Sequence, residues 1–186
     1  MTKKITEKQK LTLWQQRQEA NFYASFLLGG TPLQPGPEHP GLPHLQALHY
    51  ALFQDVLEDA GELRQVDIQL GDTPCCHFEY IEKEGNALMQ ALEDENGLAD
   101  LPLALLTERL AWYYCELTVL HPFLKGNGRA QRMLFEQIVI HAGFDIQWAK
   151  IDAESWRAAN QASLEGDLSL LTAAFGKVVS ERQESA

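Results

Sequence analysis

The strongest constraint on the fold is a pair of apolar helices joined by one short, highly charged turn. Leu103, Leu106, Leu110, Tyr113, Leu117 and Leu120 step by three or four residues, which is one apolar face of a long helix. Asp100-Leu101-Pro102 precedes them as a start signal, a capping acid and then proline in the first turn. Pro122 stops the helix and leaves His121 at its C-terminal end. Leu134, Phe135, Ile138 and Val139 open a second apolar helix, which Gly143 ends. Between the two lies HPFLKGNGRAQR, residues 121–132.

The rest of the chain reads mainly α. Residues 5–28 carry Trp14, Phe22, Phe26 and Leu27 and predict a helix ending at Gly29-Gly30, so residues 1–30 form an N-terminal helical segment. Residues 31–43, TPLQPGPEHPGLP, are proline-rich and predict a connecting loop. Leu45, Leu48, Leu52, Val56 and Leu57 recur at helical spacing, with Gly61 as a stop. Val66 to Leu70 alternates with period two. Gly71-Asp72-Thr73-Pro74 is a turn signal, and Cys75 to Ile81 can run back, which predicts a β-hairpin. Further helices are expected around Gly85–Asp94, Ala153–Gln161 and Asp167–Val179. The expected fold class is a helical bundle with one hairpin.

Charge narrows the function. The formal net charge of −11 argues against a general nucleic-acid binder, because phosphate contact needs clustered Lys and Arg. Cys75, Cys76 and Cys115 are odd in number and lack metal-ligand spacing, so reduced thiols in the cytoplasm are the default. The basic start MTKKITEKQK is followed by LTLWQQRQEANF, too polar for a signal peptide. No run approaches the ~18 apolar residues of a membrane span.

Against that acidic background the turn stands out. Gly126-Asn127-Gly128 sits immediately before a helix, where free N–H groups form an anion nest and glycine lets the backbone approach closely. Arg129 and Arg132 fall in the first turn of that helix and share a face. Cations there oppose the helix dipole by about 0.3–1 kcal/mol each. A bound phosphate reverses that sign and accepts bidentate guanidinium bonds. His121, with an ordinary pKa of roughly 6.5, suits a general base near neutral pH. Read as structure alone, the glycines are a turn and the histidine a dipole partner. Read together, they are a polyphosphate cradle beside a proton acceptor.

HPFLKGNGRAQR resembles the signature of Fic-domain proteins, His-Pro-Phe-x-Asp/Glu-Gly-Asn-Gly-Arg-x-x-Arg, and departs from it at Lys125. LHYALFQDVLEDAGELR resembles that family's helix before the hairpin, and GDTPCCHFEYIEKEGNALMQAL its flap and following helix. Residues 44–180 thus resemble the core of short stand-alone bacterial Fic proteins, and 181–186 are left as a polar tail. The resemblance implies a Fic fold and transfer of AMP from ATP to a hydroxyl side chain of a target protein. It implies His121 as the base that deprotonates a target Tyr, Ser or Thr, and Phe123 as a buried anchor. Gly126, Asn127, Gly128, Arg129 and Arg132 would hold the ATP phosphates. The hairpin, with Ile68, Gln69, Leu70, Gly71, Asp72 and Thr73, would be a flap that aligns the target by strand-like pairing. Asn160 and Trp156 have two readings, nucleotide pocket or core packing.

Lys125 stands where the family has an acid that binds Mg²⁺, and an ammonium cannot ligate a metal. No metal ligand is therefore assigned, and the Mg²⁺ that the family implies is in question. Three readings follow: Lys125 neutralises phosphate directly, the transferred group is another phosphate-containing one, or the chain is a weak or inactive nucleotide-binding partner. The presence of His121, Asn127 and both arginines favours retained nucleotide chemistry. Many family members are restrained by a helix bearing Ser/Thr-x-x-x-Glu-Gly/Asn. Here Ser180 and Glu184 have the spacing, but Ser185 follows. The resemblance therefore implies a toxin restrained by a separate small antitoxin, with a type II topoisomerase subunit as the target.

Overall fold

The computed structural model describes residues 39–182. The helix expected over residues 5–28 and most of the proline-rich stretch lie outside the described residues. Within them are six α-helices and two short antiparallel sheets.

α1 spans Leu42–Phe53 and buries Leu42, Leu45, Leu48 and Leu52. It begins inside the stretch expected to be a loop, because Pro43 sits in the first turn, where a missing N–H costs nothing. It also ends before Val56 and Leu57. Both of their N–H groups bond the Phe53 carbonyl at 2.9 Å instead, closing tight turns.

The hairpin is shorter than its alternation suggests. β1, Gln69–Leu70, pairs with β2, Thr73–Pro74, in the register Gln69↔Pro74 and Leu70↔Thr73. One further bond joins the Cys75 N–H to the Ile68 carbonyl at 3.1 Å. The expected return strand to Ile81 does not form. The Asp67 carboxylate takes the Phe78 N–H at 3.0 Å, and the His77 ring accepts the Glu79 N–H at 3.3 Å. Side-chain acceptors thereby divert backbone donors from a sheet ladder. Phe78–Tyr80 becomes a 3₁₀ turn, and α2 follows over Ile81–Asp94.

α3 covers Leu103–Leu120, the span its periodicity predicts. Its start differs: Pro102 is the cap residue, without a side-chain bond, and Asp100 lies upstream at φ 62°. α4 spans Asn127–His141, α5 Ala153–Leu164 and α6 Ser169–Val178. α3 packs against α2, α4, α5 and α6, so it is buried on several faces. At its centre Tyr114 meets Phe135 of α4, Trp156 of α5 and Phe175 of α6, with ring centroids 4.8, 5.1 and 5.6 Å away. Edge-to-face rings at these distances add about 0.5–1.5 kcal/mol per pair beyond area burial. The end of α2 is tied to α3 by the Arg109–Glu95 ion pair and by the Tyr113 hydroxyl, which donates to Glu95 at 2.8 Å. Arg109 holds the Glu95 carboxyl below its usual range. Burial, with Glu95 adding, pushes the Tyr113 hydroxyl up to about 12.

A second sheet was not expected. β3, Phe144–Ile146, pairs with β4, Val179–Glu181, from Phe144↔Glu181 to Ile146↔Val179. Three-residue strands are too short to show alternation, and no turn residue separates β4 from α6. Ser180 and Glu181, two residues of the Ser180–Glu184 spacing, therefore lie in a strand and not in a helix.

Candidate active site

α3 ends on His121, whose backbone is left-handed at φ 43° and ψ 63°. That conformation costs a non-glycine residue roughly 1–2 kcal/mol and persists only where neighbours enforce it. They do. The His121 N–H bonds the Leu117 carbonyl at 3.1 Å, and the His121 carbonyl accepts from Arg64 Nε at 2.7 Å. Nδ1 of the ring lies 3.3 Å from the Thr118 carbonyl. A carbonyl only accepts, so this bond assigns the proton to Nδ1 and leaves Nε2 with a free lone pair in the neutral ring. Burial lowers the His121 pKa; the Thr118 bond opposes this, and the Arg64 charge lowers it further. The ring is thus neutral at physiological pH and able to accept a proton.

The loop that follows hangs from Phe123, which is 1% exposed. Its ring stacks on His49 of α1, with centroids 3.9 Å apart and planes at 15°. Asn127 clamps the Phe123 backbone at both ends: Oδ1 accepts the N–H at 3.0 Å and Nδ2 donates to the carbonyl at 2.7 Å. The Asn127 side chain is therefore engaged in holding the loop, and only its backbone N–H is left for the cradle. His49 fixes the next segment. The Gly61 N–H donates to Nδ1 at 2.8 Å, so Nε2 carries the proton and donates to the Lys125 carbonyl at 2.8 Å. Gly126 takes φ +81°, and a Cβ there would lie 2.4 Å from Cε2 of Phe53. Only glycine fits.

These ties present the start of α4. The N–H groups of Asn127, Gly128 and Arg129 head the helix, ahead of the first intrahelical bond, Ala130 N–H to the Gly126 carbonyl at 3.2 Å. Arg132 runs beside Gly128, its Nη1 3.7 Å from where a Cβ on that glycine would sit. It is hydrogen-bonded to the buried Tyr114 hydroxyl, whose pKa burial raises against the pull of that arginine. Gln131 locks α4 to α3 by donating to the Tyr114 carbonyl at 2.6 Å and to the Thr118 hydroxyl at 3.0 Å. Gly126, Gly128, Arg129 and Arg132 thus fall on one short segment, with His121 at the other end of the same anchored loop. Such an arrangement can hold a polyphosphate and accept a proton beside it.

Of the two readings of Asn160 and Trp156, core packing is the one their contacts support. The Asn160 amide bonds the Trp156 carbonyl at 2.7 Å within α5, and Trp156 packs in the aromatic core, 5.2 Å from Trp148. Core packing accounts for both. The residues present do not fit Mg²⁺. The stretch 121–132 contains no Asp or Glu, Lys125 offers an ammonium, and its carbonyl already accepts from His49. Among the described residues, no three His, Cys, Asp or Glu side chains gather as metal ligands.

Sequence reasoning missed His49, Arg64 and Tyr114. The first two act on backbone groups, which every residue carries, so no partner identity marks them in the sequence. The one available signal for His49 was a histidine inside an apolar helical face.

A helical bundle that presents a neutral histidine and an N–H nest on one anchored loop has the chemistry suited to handling phosphate. Comparison with known proteins specifies it. The Fic/DOC family model matches residues 41–139, and a second family model, YhfG, matches residues 3–51. The "Probable protein adenylyltransferase Fic" of Escherichia coli (strain K12) is 54% identical over 171 residues, covering 92% of this chain and 86% of that protein. Its counterpart in Salmonella typhimurium is 52% identical over 163 residues, covering 88% and 82%. Among solved structures, the N-terminal Fic domain of a putative cell filamentation protein from Bartonella quintana, with bound ADP, superposes at a TM-score of 0.84 with 24% identity, covering 97% of this chain and 90% of that one. The chain belongs to the Fic/DOC family. With relatives so named at 52–54% identity, it is a nucleotidyltransferase.

Proposed function

We propose that the chain transfers AMP from ATP to a hydroxyl side chain of a target protein. The observation that carries this reading is the loop itself, with an unprotonated His121 Nε2 at one end and the N–H groups of residues 127–129 at the other. The nest, Arg129 and Arg132 hold the ATP phosphates, as both glycines and the nearness of Arg132 to Gly128 support. Lys125 is exposed and adds positive charge where the family has an acid. A target segment lies along the hairpin Ile68–Thr73, whose two-residue strands leave an edge for pairing. His121 takes the proton of the target Tyr, Ser or Thr through Nε2. The freed oxygen attacks the α-phosphorus, a P–O ester bond forms, the α–β bridge breaks and pyrophosphate leaves. No step is routed through Mg²⁺.

The setting we infer is the cytoplasm, with this chain as the toxin of a toxin–antitoxin pair, a type II topoisomerase subunit as its target and a small antitoxin supplying an inhibitory helix. No helix among the described residues is long and apolar enough to cross a membrane. Lys125 favours one second reading, a nucleotide-binding partner that transfers slowly or transfers another phosphate-containing group. Mass spectrometry of proteins modified in lysate separates the two. An adduct of one AMP on a hydroxyl residue is the expected product; a different phosphate-containing adduct, or none beside tight ATP binding, supports the second reading.

A further inference from the structure

Arg64 follows α1 by a few turns and is 2% exposed, one of the largest fully buried side chains. Among the described residues no carboxylate pairs with it. A buried cation without a counter-ion is costly unless its donors are satisfied by other means. Here backbone carbonyls do so. Nε donates to His121 at 2.7 Å, Nη1 to Val66 at 2.6 Å, and Nη2 to Cys76 and, at 3.2 Å, to Leu120. Its own N–H donates to the Pro122 carbonyl at 2.9 Å. Val66 and Cys76 flank the two legs of the hairpin; Leu120, His121 and Pro122 are the end of α3 and the start of the loop. A parallel bond, Cys76 N–H to the Val119 carbonyl at 2.9 Å, joins the same two parts.

We propose that Arg64 is a positioning residue for transfer, locking the base of the hairpin and the backbone of His121 into one rigid unit. The proposal rests on the function proposed above. Its geometry needs guanidinium: a planar fork of five donors reaches carbonyls of three separate segments at once, whereas lysine has one nitrogen and no fork. The consequence is a fixed distance between an acceptor hydroxyl held along the hairpin and the ring of His121. Without that distance the base and the hydroxyl drift independently, while the N–H nest at α4, which Arg64 does not touch in any of these bonds, still holds ATP. Arg64 thus acts on the transfer step and not on nucleotide affinity.

The test uses the full chain as wild type, Arg64→Lys, Arg64→Met and His121→Ala. Labelling of lysate proteins with α-labelled ATP is compared with binding of AMPPNP. Arg64→Lys is expected to bind AMPPNP like wild type yet label more slowly by about 10- to 100-fold at saturating ATP, the penalty typical of misplaced reacting groups. Arg64→Met is expected to label no better. Labelling by a folded Arg64→Lys within about twofold of wild type would overturn the proposal, on the same scale. Native-state hydrogen exchange of the wild type decides the matter even if both Arg64 variants fail to fold. Amides of residues 66–76 and 119–123 should open together as one unit; independent opening overturns the tie. Labelling by His121→Ala at the wild-type rate would defeat the proposed function instead, and joint opening would still be read separately.

Discussion

At the scale of single residues, the site depends on two groups whose protonation or size leaves no room for change. His49 uses its Nδ1 lone pair to accept the Gly61 N–H, so a second proton on the ring breaks that bond. Burial lowers its folded pKa, and the unfolded chain therefore binds more protons once the pH falls below about 6.5. The associated stability is complete above that pH and is lost as pH falls through it, levelling off once the folded ring protonates. His121 is shifted in the same direction and adds to the slope. Thermal unfolding from pH 7 to pH 5 should show a falling midpoint, and His49→Gln should flatten part of that fall; an identical slope in the variant would contradict this. Gly126 is the second case. Gly126→Ala combines a left-handed alanine with a Cβ driven into Phe53, and urea unfolding should register a loss of about 2–4 kcal/mol.

The elements divide between those whose positions were legible in the sequence and those that were not. α3 runs from Leu103 to Leu120, as its apolar steps require, and Phe123 is the buried anchor its ring suggests. The hairpin was readable in place but not in length. Period-two alternation is a side-chain pattern, and the return strand was lost to backbone N–H groups captured by Asp67 and His77. β3 and β4 escaped because three residues carry too little pattern. The network around Arg64 and His49 escaped because its acceptors are largely main-chain carbonyls. If the hairpin aligns a target, breaking its turn should spare ATP. Gly71 has φ +59°, which proline cannot adopt. Gly71→Pro should bind AMPPNP as wild type does and label target proteins at least about tenfold more slowly; equal loss of both would remove the hairpin from the target-binding role.

For the whole molecule, the question is how transfer is restrained. The inhibitory pattern that the Fic resemblance supplies is Ser/Thr-x-x-x-Glu-Gly/Asn, and Ser180 and Glu181 of the Ser180–Glu184 spacing lie in a strand. Ser25-Phe26-Leu27-Leu28-Gly29-Gly30, outside the described residues and within the stretch matched by the YhfG model, follows the same pattern with glycine in place of glutamate. Gly29→Glu should therefore lower labelling by the full chain; unchanged labelling would leave restraint to a separate partner. The central claim, that an unprotonated His121 drives transfer although Lys125 replaces the family's acid, is tested most directly by one assay. Wild type, His121→Ala and Lys125→Glu are incubated with α-labelled ATP and bacterial lysate, each with and without Mg²⁺. The account predicts a labelled protein band from wild type that does not require Mg²⁺ and disappears in His121→Ala. No band from wild type beside a strong one from Lys125→Glu with Mg²⁺ would contradict it.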